Sequence, residues 1–557
     1  MTGLDWLVLF ATITLIVSFG VWKTRGKQTA ANYLRGGNDA KWWTIGLSIM
    51  ATQASAITFL STPGQAFEDG LGFVQFYFGV PIAMVILSAT IVPIYFRTRV
   101  LTAYEYLEQR FDLKTRQLTA VIFLLQRALG AGLSIYAPAI ILSTVLGWSL
   151  IWTNLVIGLL VIAYTVSGGT RAVNQTQQLQ MTVMMSGMVL AFVYVIFTLP
   201  GEVGFTDAFG VAGALGKMNA VDFTPRTDTR YTFWSGITGG TLVALAYFGT
   251  DQSQVQRYLS GETLQQTRMG LMMNGLLKVP MQLLILSVGV LVYVFFQFNP
   301  SPVFWNKPEL EAARRSPQAA QLAVLEQRHD ELSTQKRALL ATWLEKRDDA
   351  TVTELRALEK QDRSVRDDAR KLVKRVNPSA NVKDADYVFL TFVISRFPAG
   401  LVGLLLAVIL CAAMSATASA LNALGTTMVV DFYRRTWRPQ ATDADGVKAG
   451  KWFTVMWGGL AMSFAMFAGQ VDNLIQAGNI LGSIFYGPML GVFLVGFFFK
   501  SARGTPVFIA TLLAQAAVVI TWLSSDIGYL WWNVIGVVGV VVFTLTLQRV
   551  IPARAAH

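Results

Sequence analysis

The residues of this chain most able to do chemistry are small, polar and set inside apolar runs. Thr52, Gln53, Ser55 and Thr58 interrupt "GLSIMATQASAITFLSTPGQAF" (46–67), and Pro63-Gly64 follows. A second interrupted run, "SGITGGTLVALAYFGTDQSQVQRYL" (235–259), carries Gly239-Gly240 and then Gly249 before a polar stretch. A third, "CAAMSATASALNALGTT", holds Ser415, Thr417, Ser419 and Asn422. Ser415, Ser419 and Asn422 fall at i, i+4 and i+7 and share one helix face. Hydroxyls, together with carbonyls released where a helix breaks, are the oxygen ligands that a hard cation such as sodium takes. Small polar residues also make plain interhelical hydrogen bonds, and spacing alone does not choose between the two.

Ionisable groups inside apolar runs are the next signal, because a charge in a bilayer is costly and marks function by default. Lys278 sits in "MNGLLKVPMQLL". Two readings stand: an amine lining an interior cavity, or one that snorkels to the lipid interface. Arg127, in "LLQRALGAG", lies nearer the cytoplasmic end and is expected to snorkel; Asp251 is expected to cap a helix there. With only His329, His557 and Cys411, no His/Cys metal site and no intrachain disulfide are expected. No Ser/His/Asp set or carboxylate pair falls within the apolar runs, so an enzyme is not expected.

The elements that must position these residues are membrane helices. The 557 residues are 53% hydrophobic and 14% charged, against about 25% charged in soluble domains. Apolar runs near 4–21, 43–66, 71–95, 118–146, 150–167, 178–199, 233–250, 270–297, 387–430, 450–469, 474–499, 506–523 and 527–547 predict an all-α membrane protein of about 13 spans. The 387–430 run exceeds one crossing and is expected to continue as a cytoplasmic helix. The first run lacks a basic n-region and reads as a retained helix. Lys and Arg gather after the first span (Lys23, Arg25, Lys27, Arg35, Lys41), the third and the ninth, whereas "FEDG" (67–70) and "QVDN" (470–473) have none. Positive loops stay in the cytoplasm, so the N-terminus is expected outside and the C-terminus inside. This distribution also accounts for the net charge of +12 without nucleic acid.

Residues 300–386 break the pattern, with dense charge of both signs on the outer side. Leu325, Leu332 and Leu339, and Leu358, Val365 and Leu372, repeat every seven residues and predict an antiparallel helical hairpin. It is either a solvated spacer or an extracytoplasmic docking surface. The chain thus divides into a membrane part (1–299), this insertion (300–386) and a second membrane part (387–557).

At these residues the chain resembles the sodium/solute symporter family, which includes sodium–glucose, proline, iodide, multivitamin and monocarboxylate transporters. The carriers are "WWTIGLSIMATQASAITFL", "IYAPAIILSTVLGW", "YTVSGGTRAVNQTQQLQ", "FGTDQSQVQRYL", "LLKVPM" and "MSATASALNALGTTMVVDFYRR". The resemblance implies an inverted five-plus-five helix core with broken first and sixth core helices. The interrupted second and seventh spans have that spacing. It further implies sodium-coupled symport of a small polar solute (a sugar, polyol or monocarboxylate) by alternating access in the cell membrane. Carried over residue by residue, sodium would meet the carbonyls of Ala51, Ala54 and Ala412 and the hydroxyl of Ser415. Ala416 stands where the family has a second hydroxyl, and Thr417 or Ser419 would have to compensate. The family's "TD" is Thr176-Gln177 here, so one sodium is expected and a second is not. Solute contacts implied are Gln53, Ser55, Thr58, Gln75 or Tyr77, Lys278 and Gln476. A proton-coupled or uncoupled carrier is the competing reading. A transporter-like sensor would need an output domain, and "QRVIPARAAH" is too short for one.

Overall fold

The computed structural model describes residues 1–23, 33–34, 36–201, 203–378, 380, 382, 384–468 and 474–551, and every regular element among them is helical. Arg25, Lys27, Arg35, His557 and the 470–473 loop lie outside the described residues. In order the helices are α1 (Gly3–Lys23), α2 (Trp42–Gln53), α3 (Ala56–Asp69), α4 (Gly79–Ile86), α5 (Val92–Thr98), α6 (Ala103–Arg110), α7 (Leu113–Leu146) and α8 (Leu150–Thr198). There follow α9 (Phe205–Ala214), α10 (Phe233–Ile237), α11 (Gly239–Gly249), α12 (Gln252–Leu259) and α13 (Leu264–Phe298). The inserted segment contributes α14 (Lys307–Arg314), α15 (Ala319–Lys346) and α16 (Asp349–Val376). The chain ends with α17 (Ala385–Arg396), α18 (Leu401–Thr427), α19 (Asp443–Phe467), α20 (Leu474–Phe498), α21 (Gly504–Ser524) and α22 (Tyr529–Val550).

Each of the thirteen apolar segments coincides with helix. Among the described residues, 9 stretches are long and apolar enough to cross a membrane by themselves. The rest are α2, the first half of α8, the α10–α11 pair and α19, which are short, broken or polar at one end. The two interrupted runs do break, though not at their most obvious residues. The first opens at Ala54–Ser55, where Ser55 is extended (φ −81°, ψ 172°), while Pro63 stays inside α3. The second opens at Thr238 and again at Thr250–Asp251. Irregular backbone at this depth is tolerated only inside protein or beside a cavity.

The single run at 387–430 needs correction. It is two helices, because Pro398 lacks an amide hydrogen and Gly400 takes a left-handed φ of 88°. The helix before the break, α17, packs on α3; the helix after it, α18, runs on through a π-helical stretch to Trp437. Gly169 (φ 59°) likewise divides α8 into two core helices. Close packing of small residues seals the bundle. A Cβ at Gly289 on α13 would lie 2.1 Å from the Pro63 carbonyl oxygen on α3.

The hairpin α15–α16 lies across one end of the bundle, strapped at both ends. At its tip Arg347 pairs with Asp207 of α9, and Arg356 Nε donates to the Ala214 carbonyl at 2.8 Å. At its base Arg370 bridges Asp384 (2.8 Å) and Glu68 (2.5 Å), the latter at the end of α3. The buried seam is not the leucine register expected from the sequence. It runs through Leu322, His329, Lys336 and Trp343 on one helix and Leu355, Asp362 and Ala369 on the other; of the expected residues Leu332 and Leu372 are buried, while Leu325, Leu339, Leu358 and Val365 are only half-buried. Asp362 takes Lys336 Nζ at 2.7 Å and His329 Nδ1 at 2.5 Å. Burial works to raise its carboxyl, but the His329 bond and the Lys336 charge hold it well below the usual range. Burial also lowers the Lys217 ammonium, which donates to the Glu68 carbonyl at 2.6 Å, to about 8.

Candidate functional site

The break at Ala54–Ser55 creates the first part of the site. Ala54 N closes α2 on Met50 O at 2.8 Å, and Ser55 N turns back to Gln53 O at 3.1 Å instead of continuing the helix. The Ala51 carbonyl is thereby released from the helix ladder. It accepts the Ser415 hydroxyl of α18 at 2.8 Å. Two of the oxygens expected around sodium are thus in direct contact across α2 and α18. Ala54 and Ala412 are fully buried beside them, Ala412 one turn before Ser415. Ser419 joins the same cluster: its hydroxyl is 3.0 Å from Thr52 Oγ1 and accepts Gln177 Nε2 at 2.7 Å. Thr417 does not; its hydroxyl is buried without a partner on another side of the helix. Ala416 offers no hydroxyl and lines the neighbouring cavity.

That cavity has a volume of about 170 Å³ and lies where α3, α7, α11 and α20 meet the break. Gln53, Ser55, Thr58 and Tyr77 line it, with Asn479, Tyr247 and Tyr486 opposite. Among the described residues, Gln53 Oε1 is buried without a hydrogen-bond partner. The other residues named from the sequence stand elsewhere. Gln75 is tied to an end loop, donating to Tyr231 O at 3.2 Å and accepting from Asp222 N at 2.8 Å. Gln476 bridges Arg230 (2.8 Å) and Gln65 (3.2 Å) beyond the cavity. Lys278 is 0% exposed, so it does not snorkel. Among the described residues its Nζ has no hydrogen-bond partner, and it rests 5.0 Å from the centroid of the Tyr77 ring, which lines the cavity while Lys278 does not.

Arg127 departs most from expectation. It does not snorkel but lines the cavity. Its Nη2 pairs with Asp251 and donates to Tyr486 OH at 3.0 Å, and its Cζ lies 5.4 Å from the Tyr247 ring centroid. Its Nε is buried without a partner. Asp251 does cap α12, accepting Ser253 N at 2.9 Å, and also receives Tyr486 OH at 3.0 Å. The sequence displayed Arg127 in an apolar run. Only the folded chain shows that the breaks at 54 and 250 bring a cavity to it. Tyr247, Asn479 and Tyr486 carried no sequence signal, being ordinary residues of apolar helices.

Comparison with known proteins accords with this geometry. The chain is 24% identical to the sodium/sialic acid symporter SiaT of Proteus mirabilis (strain HI4320), over 99% of this chain and 96% of that one. It is 26% identical to sodium-coupled monocarboxylate transporter 2 of Bos taurus, over 88% of this chain and 68% of that one. A solved structure of a Na+-coupled sialic acid symporter in a substrate-bound, outward-open state superposes with a TM-score of 0.76 at 21% identity, covering 99% of this chain and 98% of that one. The shared fold is the inverted five-plus-five helix core, with α2–α3 and α10–α11 as its broken first and sixth helices. The family model "Sodium:solute symporter family" matches residues 33–325 and 373–513, leaving out most of the hairpin. The chain belongs to the sodium:solute symporter family and is a sodium-coupled membrane transporter.

Proposed function

We propose that this symporter imports a small organic anion, a monocarboxylate or a sugar acid, across the cell membrane together with one sodium ion. The observation that carries the reading is Arg127, a guanidinium on the cavity wall that pairs with Asp251 through Nη2 while its Nε, among the described residues, is unmatched. A fork of N–H donors suits a carboxylate. The two relatives named above are described as carriers of sialic acid and of monocarboxylates, both acids. Gln53, Ser55 and Thr58 would hydrogen-bond the rest of the solute. The Ala51, Ala54 and Ala412 carbonyls with Ser415 would hold sodium, and Ala416 in place of a hydroxyl predicts weak affinity. The loop charges support an outside N-terminus, a cytoplasmic C-terminus and an extracytoplasmic hairpin.

Alternating access follows if ion and solute favour one arrangement of the broken helices over the other. The test is uptake of radiolabelled lactate, sialic acid and glucose into proteoliposomes. It is run in sodium, in choline, and with an imposed pH gradient. Sodium-driven uptake of an acid, with glucose excluded, is expected. Equal uptake in choline removes sodium as the driver, and uptake that follows the pH gradient alone establishes proton coupling. Glucose uptake that survives Arg127→Gln overturns the anion reading.

A further inference from the structure

A second chamber, with a volume of about 210 Å³, lies between the hairpin and the membrane core. The transport cavity measures about 170 Å³, so size does not keep its cargo out of the chamber. One wall is the end of α3 (Phe67, Glu68) and the end of α13 (Tyr293, Gln297), and Lys217 closes it. The other wall comes from α15 and α16, from residues that all fall within 326–372, the stretch that the family model leaves out. Tyr293 and Gln297 are four residues apart on α13 and share a face. Both are buried, and among the described residues Tyr293 OH and Gln297 Oε1 have no hydrogen-bond partner. Arg366 Nε of α16 is also buried and, among the described residues, unpartnered. Leaving a buried polar atom unmatched costs about 1–3 kcal/mol, and residues carrying three such atoms line this one chamber.

The charges around the chamber leave a basic surplus. Lys336 holds Glu359 and Asp362, at 3.0 and 2.7 Å, and Arg370 holds Glu68 and Asp367, at 2.5 and 3.1 Å. Asp69 is exposed to water. Lys217 is buried, and among the described residues no carboxylate lies within ion-pair distance of it. One of its three N–H groups goes to the Glu68 carbonyl at 2.6 Å, and its Nζ rests 4.3 Å from the Tyr293 ring centroid. Arg366 comes no nearer to a carboxylate than 3.8 Å, at Asp384. The Phe67 ring joins the two basic groups, with its centroid 5.4 Å from that of Tyr293 and 5.9 Å from Arg366 Cζ. An ammonium and a guanidinium thus reach one chamber with donors to spare, an arrangement that takes a carboxylate. Gln297 Oε1 can only accept, so the same ligand must bring a hydroxyl. A chloride ion brings none.

We propose that this chamber binds a small hydroxylated carboxylate, with Lys217 and Arg366 on its carboxylate and Gln297 and Tyr293 on its hydroxyl, so that the hairpin gives the transporter an outer site ahead of the transport cavity. Ser55 and Glu68 stand at opposite ends of α3, roughly 20 Å apart at 1.5 Å per residue, and the two sites can be filled together. That the occupant is of the cargo's class rests on the anion reading above.

The test is hydrogen exchange of the purified full-length protein in sodium-free choline methanesulfonate, with lactate, sialic acid, inorganic phosphate or chloride added. Lactate or sialic acid should slow exchange saturably over 356–372 and 290–300, in wild type and in Arg127→Gln alike. Lys217→Gln should raise the half-saturating concentration about tenfold, the loss of one charge-assisted bond. Tyr293→Phe, which deletes only a hydroxyl, should raise it about threefold and keeps the comparison if Lys217→Gln aggregates. No protection by either acid overturns the proposal, and so does protection that the variants leave unchanged. Protection by phosphate or chloride equal to that by the acids overturns the carboxylate assignment. The transport reading is tested apart, by the sodium-driven uptake described above. Protection without uptake removes that reading and leaves the outer site, and uptake without protection does the opposite.

Discussion

Two buried polar clusters in this molecule meet the same need with opposite chemistry. Around Gln177 every direct partner is neutral: hydroxyls of Ser48, Thr52, Ser415 and Ser419 and a backbone carbonyl. Around Asp362, at 5% exposure, the partners are Lys336 and His329, with Glu359 3.0 Å from the same Lys336. Losing a neutral hydrogen bond costs about 0.5–1.5 kcal/mol, whereas stranding one member of a buried ion pair costs about 3–5 kcal/mol. The neutral cluster joins α2, α8 and α18, three separate helices of the membrane core. The charged cluster joins the two helices of one hairpin.

The pair Arg127–Asp251 is a charged contact on the cavity wall within the membrane core, and it gives the largest expected effect. Arg127→Ala strands Asp251 and removes the guanidinium offered to the solute. At about 3–5 kcal/mol, uptake should fall at least about a hundredfold, measured as initial rate in proteoliposomes. If uptake is retained, charge in the core is not reserved for the solute. Lys336→Met should cost the hairpin a similar energy, about 3–5 kcal/mol. Hydrogen exchange over 319–376 should rise sharply while sodium binding is unchanged. Ser415→Ala should weaken sodium binding about tenfold, roughly 1.4 kcal/mol, with the hairpin's exchange unaltered.

Acid should separate the two clusters further. Despite burial, the carboxyl of Asp362 is held below its usual range by the His329 bond and Lys336, and that of Glu359 by Lys336. Their stabilisation is therefore complete above their unfolded values of about 4 and lost as the pH falls below them. Proteolysis of the hairpin should accelerate only below about pH 4, and the Gln177 cluster, with nothing to titrate among its direct partners, should not respond. The smallest effect belongs to Glu68→Gln. Its side-chain bridge to Arg370 is partly exposed and worth about 0–1 kcal/mol, so uptake should stay within about twofold of wild type.

Much of the membrane architecture was legible because apolar length and loop charge are properties of sequence alone. The helix breaks were legible in outline from clustered small polar residues. Their positions were not, since Pro63 and Gly239-Gly240 look like better breakers than Ala54–Ser55 and Thr238. The extra break near Pro398 is hidden in the sequence because the flanking residues form one continuous apolar run. The hairpin was legible as a hairpin, yet its seam was misjudged: His329, Lys336 and Asp362 occupy heptad positions, and a search for leucines passes over them. Within the site, Ser415 and Ser419 share a face by helical spacing, whereas Gln75 is bonded to a loop and Gln476 to Arg230 and to Gln65 of α3, both outside the cavity lining. Arg127 could not be assigned to a cavity whose walls come from four distant segments.

The strapping of the hairpin at both ends has a practical consequence. A transporter of this size is mostly hidden in detergent or lipid, offering few landmarks by which particle images can be aligned. Here a pair of 28-residue helices is fastened to the bundle through Arg347 at the tip and Arg370 at the base, with its other face exposed. A binder raised against that face would inherit a fixed orientation relative to the core, and the molecule thus carries its own mount for imaging its cycle.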